Sequence, residues 1–216
     1  LASGRPINGV APLAEELYLK EYGGFMLSFN GARITRCSDN AIIYNKVIPQ
    51  EAIRPIYEAV KEYPGLDLIS YTDKVILSGI KSNEYTEKEA AINSMDICPV
   101  EDFPAALDFP VNKMLIPGEP SILEDLMPKL QKQYHGLLNI YRSEPFFLEI
   151  MPQNIDKAHS LQKLLNSIGL TADSMICCGD GFNDLSMIEY AGLGVAMENA
   201  QPVVKESADF ITKSND

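Results

Sequence analysis

Short apolar runs and longer stretches of helical spacing follow one another along the chain and outline its elements. "GFMLSFNGARIT" predicts a strand over Phe25–Phe29, an Asn30-Gly31 turn and a second strand. Strand-type runs recur at "AIIYNKVIP", "LDLISYT", "KVILSGI", "VNKMLIPG", "LLNIYRS", "PFFLEIMP", "SMICCG" and "GLGVAM". Helices are predicted at "QEAIRPIYEAVKEYPG", "NEYTEKEAAINSM" and "EPSILEDLMPKLQKQYHG". In "NIDKAHSLQKLLNSIGL", Leu161, Leu164, Leu165 and Ile168 share one helical face, so a helix runs from about Asp156 to Ile168 with Lys157 in its first turn. A further helix follows Asn183. At the start, "LASGRP" reads as a strand end turning into a helix, with Pro6 in the first turn and Leu13, Leu17 and Leu19 continuing the apolar pattern.

Element order gives the fold class. The two flanks alternate strand and helix, as parallel α/β units do, while about residues 42–143 mix adjacent strands with helices. The expectation is an α/β fold: a Rossmann-like parallel core formed by 1–41 and 144–216, interrupted by an inserted α+β domain at 42–143. Neither repeats nor a low-complexity linker break this pattern.

Composition narrows the function classes. The 216 residues are 46% apolar and 22% charged, ordinary for a soluble globular protein. A formal net charge of -12 argues against a general nucleic-acid binder but leaves room for a small anionic substrate in a locally positive pocket. No apolar run approaches the ~20 residues of a membrane span, and no signal peptide is visible. Cys37, Cys98, Cys177 and Cys178 show neither disulfide-framework nor zinc spacing, which points to a reduced, cytoplasmic setting. His135 and His159 are isolated and have no metal-ligand company.

Candidate chemistry concentrates in "ICCGDGFNDL", where a strand gives way to two carboxylates and an amide. A calcium EF-hand loop fails there, because Phe182 and Ala191 stand where oxygen ligands belong and Leu185 replaces the glycine. A dinucleotide fingerprint fails too, because Asp184 stands at the third glycine. What remains is either a plain Asp-Gly turn or a ligand site at the C-terminal end of a parallel strand. In the second case Asp180 and Asp184 would offer oxygens to Mg²⁺ and Asn183 would donate to a phosphate. Ser3-Gly4 offers a hydroxyl and backbone N–H groups at an expected helix start. Lys157 is either a solvated surface lysine or one held for an anion. Its charge opposes the helix dipole by a few tenths of a kcal/mol, so Lys157→Met is expected to leave the fold intact or slightly steadier.

Taken in order, "LASGRP", the lysine at a helix start and "GDGFNDLSMI" resemble motifs two, three and four of the haloacid dehalogenase superfamily of phosphohydrolases. The similarity is closest to the Cof-type sugar-phosphatase subfamily. "FNGARI", "FFLEIMPQNIDKAHSLQKLL" and "GVAMENAQPVVKESADFITKSND" extend the resemblance over essentially the whole chain. It implies a Rossmann-like core with a large cap inserted between motifs two and three, and Mg²⁺-dependent hydrolysis of a small phosphorylated metabolite through a phospho-aspartate. Carried over, Ser3 and the Gly4 amide bind the transferring phosphoryl group, Lys157 neutralises its charge, and Asn183 touches the phosphate. Asp180 ligates Mg²⁺, with Asp184 in or next to the metal shell. Such chemistry is mostly positioning and charge stabilisation.

One part of the pattern is absent. The superfamily's first motif, an apolar strand ending in Asp-x-Asp-Gly-Thr, has no counterpart in this sequence; Asp67 and Asp108 lack its context. The resemblance places that motif upstream of Leu1 and a last helix beyond Asp216, so these residues are expected to be part of a longer working polypeptide. The competing readings are a non-catalytic phosphate-binding or regulatory relative, a phosphomutase of the same superfamily, and a P-type ion pump, which the lack of a spanning segment disfavours.

Overall fold

The structure, a computed structural model, describes all residues 1–216. The chain forms two compact units. One takes Leu1–Gly4, Tyr18–Tyr44 and Ile155–Asp216; the other takes Arg5–Leu17 and Asn45–Asn154. The helices are α1 (Ala11–Glu16), α2 (Gln50–Lys61), α3 (Glu84–Asn93), α4 (Phe103–Ala106), α5 (Pro120–Gln133), α6 (Lys157–Ser167), α7 (Leu185–Tyr190) and α8 (Pro202–Glu206). The first six strands are β1 (Phe25–Ser28), β2 (Arg33–Arg36), β3 (Ile42–Asn45), β4 (Ile69–Tyr71), β5 (Val75–Ser78) and β6 (Asp96–Pro99). The rest are β7 (Met114–Pro117), β8 (Leu138–Glu144), β9 (Phe147–Pro152), β10 (Ile176–Gly179), β11 (Leu193–Ala196) and β12 (Phe210–Ile211).

The second unit is a six-stranded sheet in the order β6-β5-β4-β7-β9-β8, antiparallel except for the β5–β6 pair. Ile53, Ile56 and Val60 of α2 and Leu123, Leu126 and Leu130 of α5 recur at helical spacing, and these stripes pack on Met114, Ile116, Leu148 and Ile150. Strands β7 and β9 are buried along their whole length and so read as unbroken apolar runs, whereas β8 at the sheet edge begins by alternating. Asp67 is a structural carboxylate here: it accepts from Leu68 N, Ser78 Oγ, Ile80 N and Thr86 Oγ1 at 2.7–3.1 Å.

The unit boundaries depart from the division expected at 42–143. Strand β9 pairs with β7 from Met114↔Ile150 to Pro117↔Phe147, so the second unit's sheet carries the chain on to Asn154. Residues Arg5–Leu17 also belong to the second unit, where Asn8 Nδ2 donates to the Asp73 carbonyl at 2.7 Å. Leu13 and Leu17, expected to continue an apolar face, are 47% and 46% exposed. Strand β6 and the one-turn α4 were not anticipated; both are too short to show a period.

In the first unit β10, β11 and β12 run parallel, in register from Ile176↔Leu193 to Ala196↔Ile211. Leu165 of α6, Met187 and Ile188 of α7 and Val204 of α8 close over Cys177 and Ala196. Strands β1, β2 and β3 form a second sheet, and Leu1–Ser3 runs parallel beside β1 with a bridge at Ala2↔Leu27. Leu27, Ile34 and Leu164 fasten this sheet to α6. No helix is long and apolar enough to cross a membrane.

Candidate active site

The site residues all lie in the first unit, on three segments. The first is the extended segment at the start, joined to β1 by the isolated bridge Ala2↔Leu27. Leu27 N donates to Leu1 O at 2.8 Å, Ser3 N to Leu27 O at 2.9 Å and Asn30 N to Ser3 O at 2.9 Å. These bonds leave the Gly4 N–H next in line with no acceptor. The helix start expected at Ser3-Gly4 lies further along the chain: Pro6 caps a 3-10 turn over Ile7–Gly9, and α1 begins at Ala11. Whatever anion affinity this segment has comes from backbone geometry and not from a helix dipole.

The second segment is the start of α6. Asp156 caps the helix by accepting from His159 N at 2.8 Å, which makes Lys157 the first helical residue. The surface-lysine alternative does not hold: Lys157 is only 4% exposed, and its Nζ donates to Asp184 Oδ1. A buried ammonium is tolerated only beside a compensating charge, and Asp184 supplies it.

The third segment is the turn after β10. Asp180 N and Gly181 N both donate to Asp184 Oδ2 at 3.1 Å, folding the turn back on its own carboxylate. That fold demands glycine at Gly179, where a Cβ would stand 2.5 Å from Asp184 Cβ. Asp184 therefore has both oxygens engaged, one on Lys157 and the other on two backbone amides. Asp180, at the C-terminal end of the strand, is half-buried, and its carboxylate takes part in no hydrogen bond or ion pair. Beneath the turn, burial, with smaller contributions from Cys178 and Asp184, pushes the Cys177 thiol up to about 11.

Asn183 Nδ2 donates to Asn30 Oδ1 at 3.3 Å, and Asn30 is bonded in turn to Ser3. The structure thus joins Lys157, Asp184 and the Asp180 backbone directly, and links Asn183 to Ser3-Gly4 through Asn30. The sequence signalled Asn30 only as part of an Asn-Gly turn, and Asp156 only as an N-cap residue before an apolar-periodic segment.

The chain matches the haloacid dehalogenase-like hydrolase family over residues 1–216. A haloacid dehalogenase-like hydrolase from Bacteroides thetaiotaomicron superposes with a TM-score of 0.95 at 44% identity, over 100% of this chain and 80% of its own. A Thermotoga maritima crystal structure superposes at 0.87 with 29% identity, over 99% and 79%. The 5-amino-6-(5-phospho-D-ribitylamino)uracil phosphatase YcsE of Bacillus subtilis is 29% identical over 215 residues, covering 100% of this chain and 76% of its own. With the family pattern matched from the first residue to the last, the chain belongs to the haloacid dehalogenase-like hydrolases.

Proposed function

We propose that this phosphoric monoester hydrolase acts on small phosphorylated metabolites, sugar phosphates foremost, and that it requires Mg²⁺. The observation that carries this reading is the buried Lys157, held by Asp184 beside the turn that carries Asp180 and Asn183. A cation buried at a helix start, where it opposes the dipole, has a reason to be there if an anion must be met. Lys157 would neutralise the transferring phosphoryl group, the Gly4 N–H and the Asn183 amide would hold its oxygens, and Asp184 would keep the lysine aimed.

Mg²⁺ favours one or two carboxylates together with substrate phosphate oxygens and water. Asp180 suits it, being a hard oxygen donor at a strand end with no other partner. Asp184, already bonded on both oxygens, fits better as the residue that shapes the turn next to the metal shell. The cation would withdraw charge from the phosphoryl oxygens once bound. The family resemblance and the ribityl phosphate named for YcsE both favour a phosphorylated sugar or sugar alcohol.

The test is a panel of phosphate esters, including sugar phosphates and the YcsE substrate, assayed on the full-length protein with Mg²⁺ and with excess chelator. Hydrolysis that needs Mg²⁺ and favours phosphorylated sugars is expected. Undiminished turnover in chelator would remove Mg²⁺ from the reading. No turnover of any ester would remove the phosphatase itself.

A further inference from the structure

The turn between β1 and β2 is more contorted than joining two strands requires. A two-residue Asn-Gly loop closes an antiparallel pair with little cost. Here Phe29, Asn30 and Gly31 all take positive φ, at +52°, +53° and +92°, although the first is a bulky aromatic residue. Backbone held in such a region persists only when its surroundings over-determine it, and it gathers where geometry serves a site.

The surroundings do over-determine it. Asn30 N donates to Ser3 O at 2.9 Å and Ala32 N to Phe29 O at 3.0 Å. Gly31 lies against α6, where an added Cβ would come within 2.4 Å of Ser160 Oγ. The turn is thus anchored on the helix whose first residue is Lys157. Its result is to put the Asn30 amide between two loops: Oδ1 accepts from Asn183 Nδ2 at 3.3 Å, and a Cβ on Gly4 would stand 3.1 Å from the same oxygen.

We infer that Asn30 is a positioning residue of the phosphate site. It fixes the spacing between the Ser3-Gly4 segment and the Gly179–Asp184 turn, and it aims the Asn183 amide by accepting one of its protons. This rests on the phosphatase reading above. The strained turn is kept because an unstrained one would carry the Asn30 side chain away from both loops. Its role is indirect: it acts through Asn183, from whose amide it accepts, and through the Ser3-Gly4 segment it adjoins.

Asn30→Gly is the informative variant, because glycine accepts the positive φ and removes only the amide. Asn40→Gly serves as a control, since Asn40 also has positive φ (+57°) but lies in the exposed turn after β2. In the full-length protein, Asn30→Gly is expected to melt close to wild type. It should lower kcat/KM for a phosphate ester by about 10- to 100-fold and weaken calorimetric binding of inorganic phosphate. The control should change neither. Asn183→Ala should lose most of its further effect in the Asn30→Gly background, because the two residues act as a unit. Additive losses for the two, or phosphate binding by Asn30→Gly equal to wild type, would overturn the inference while leaving the phosphatase reading intact. A wild-type protein that hydrolyses no phosphate ester would overturn both.

Discussion

Lys157 and Asp184, 27 residues apart in sequence, form a buried ion pair in which the acid is also bonded to the backbone of its own turn. Removing the lysine leaves a buried carboxylate with two amides and no counter-charge. Breaking such a pair costs about 3–5 kcal/mol, against a few tenths regained from the helix dipole. Lys157→Met is therefore expected to be clearly less stable, the reverse of what the dipole alone gives, and its turnover should fall by orders of magnitude. Lys157→Met/Asp184→Asn should recover part of the stability but none of the turnover. Denaturant melts and steady-state rates on the same preparations check both halves; a single variant as stable as wild type would mean that the pair contributes little.

Asp180 is the opposite case. Its carboxylate has no partner, and the contact that shapes the turn comes from its backbone N–H. Asp180→Asn should change stability by no more than about 0.5 kcal/mol, the ordinary range for such a site. Mg²⁺-dependent hydrolysis should disappear. A large drop in the melting temperature would show that the carboxylate has a structural duty instead.

The four thiols should separate by burial. Cys98 and Cys178 are exposed, while Cys37 and Cys177 are buried. Burial raises the Cys37 thiol and pushes the Cys177 thiol up to about 11, so neither forms much thiolate near neutral pH. Brief alkylation at about pH 7.5 followed by peptide mapping should find label on Cys98 and Cys178 only. Labelling of Cys177 before Cys178 would contradict the strand orientation of β10.

Glu149 gives a pH signature. Burial alone would raise its carboxyl, but the Lys113 ammonium at 2.9 Å and the Tyr141 hydroxyl at 2.8 Å outweigh that and hold it below the usual glutamate value. A depressed carboxyl contributes stability that is present above the unfolded value and lost as pH falls toward the folded one. The second unit should therefore weaken progressively below about pH 4.3. Urea midpoints measured from about pH 6 to about pH 3 should fall more steeply for wild type than for Glu149→Gln. The variant will start lower because it leaves Lys113 buried without its partner. Equal slopes would show that the pair does not titrate with folding.

Long periodic segments were legible from sequence. The face of Leu161, Leu164 and Leu165 placed α6 and put Lys157 in its first turn. The run "ICCG" ending in Asp-Gly placed β10 and the turn behind it. Three features were not legible, for distinct physical reasons. Strand β6 and helix α4 have four residues each, less than either period needs. The pairing of β9 with β7 is non-local, so nothing within "PFFLEIMP" says which unit it joins. The Lys157–Asp184 pair and the Asn30–Asn183 bond depend on side chains 27 and 153 residues apart.

The contact between Gly31 and Ser160 works in one direction only. At Gly31 a side chain is refused twice, by a φ of +92° and by Ser160 Oγ at 2.4 Å from where a Cβ would sit. Ser160 is under no matching constraint, because its buried hydroxyl bonds to nothing and alanine would fill the same space. In a saturation scan, position 31 should tolerate its native residue alone, while position 160 accepts alanine at no loss. Two residues in touch need not share one tolerance: the backbone that must bend is the partner that cannot change.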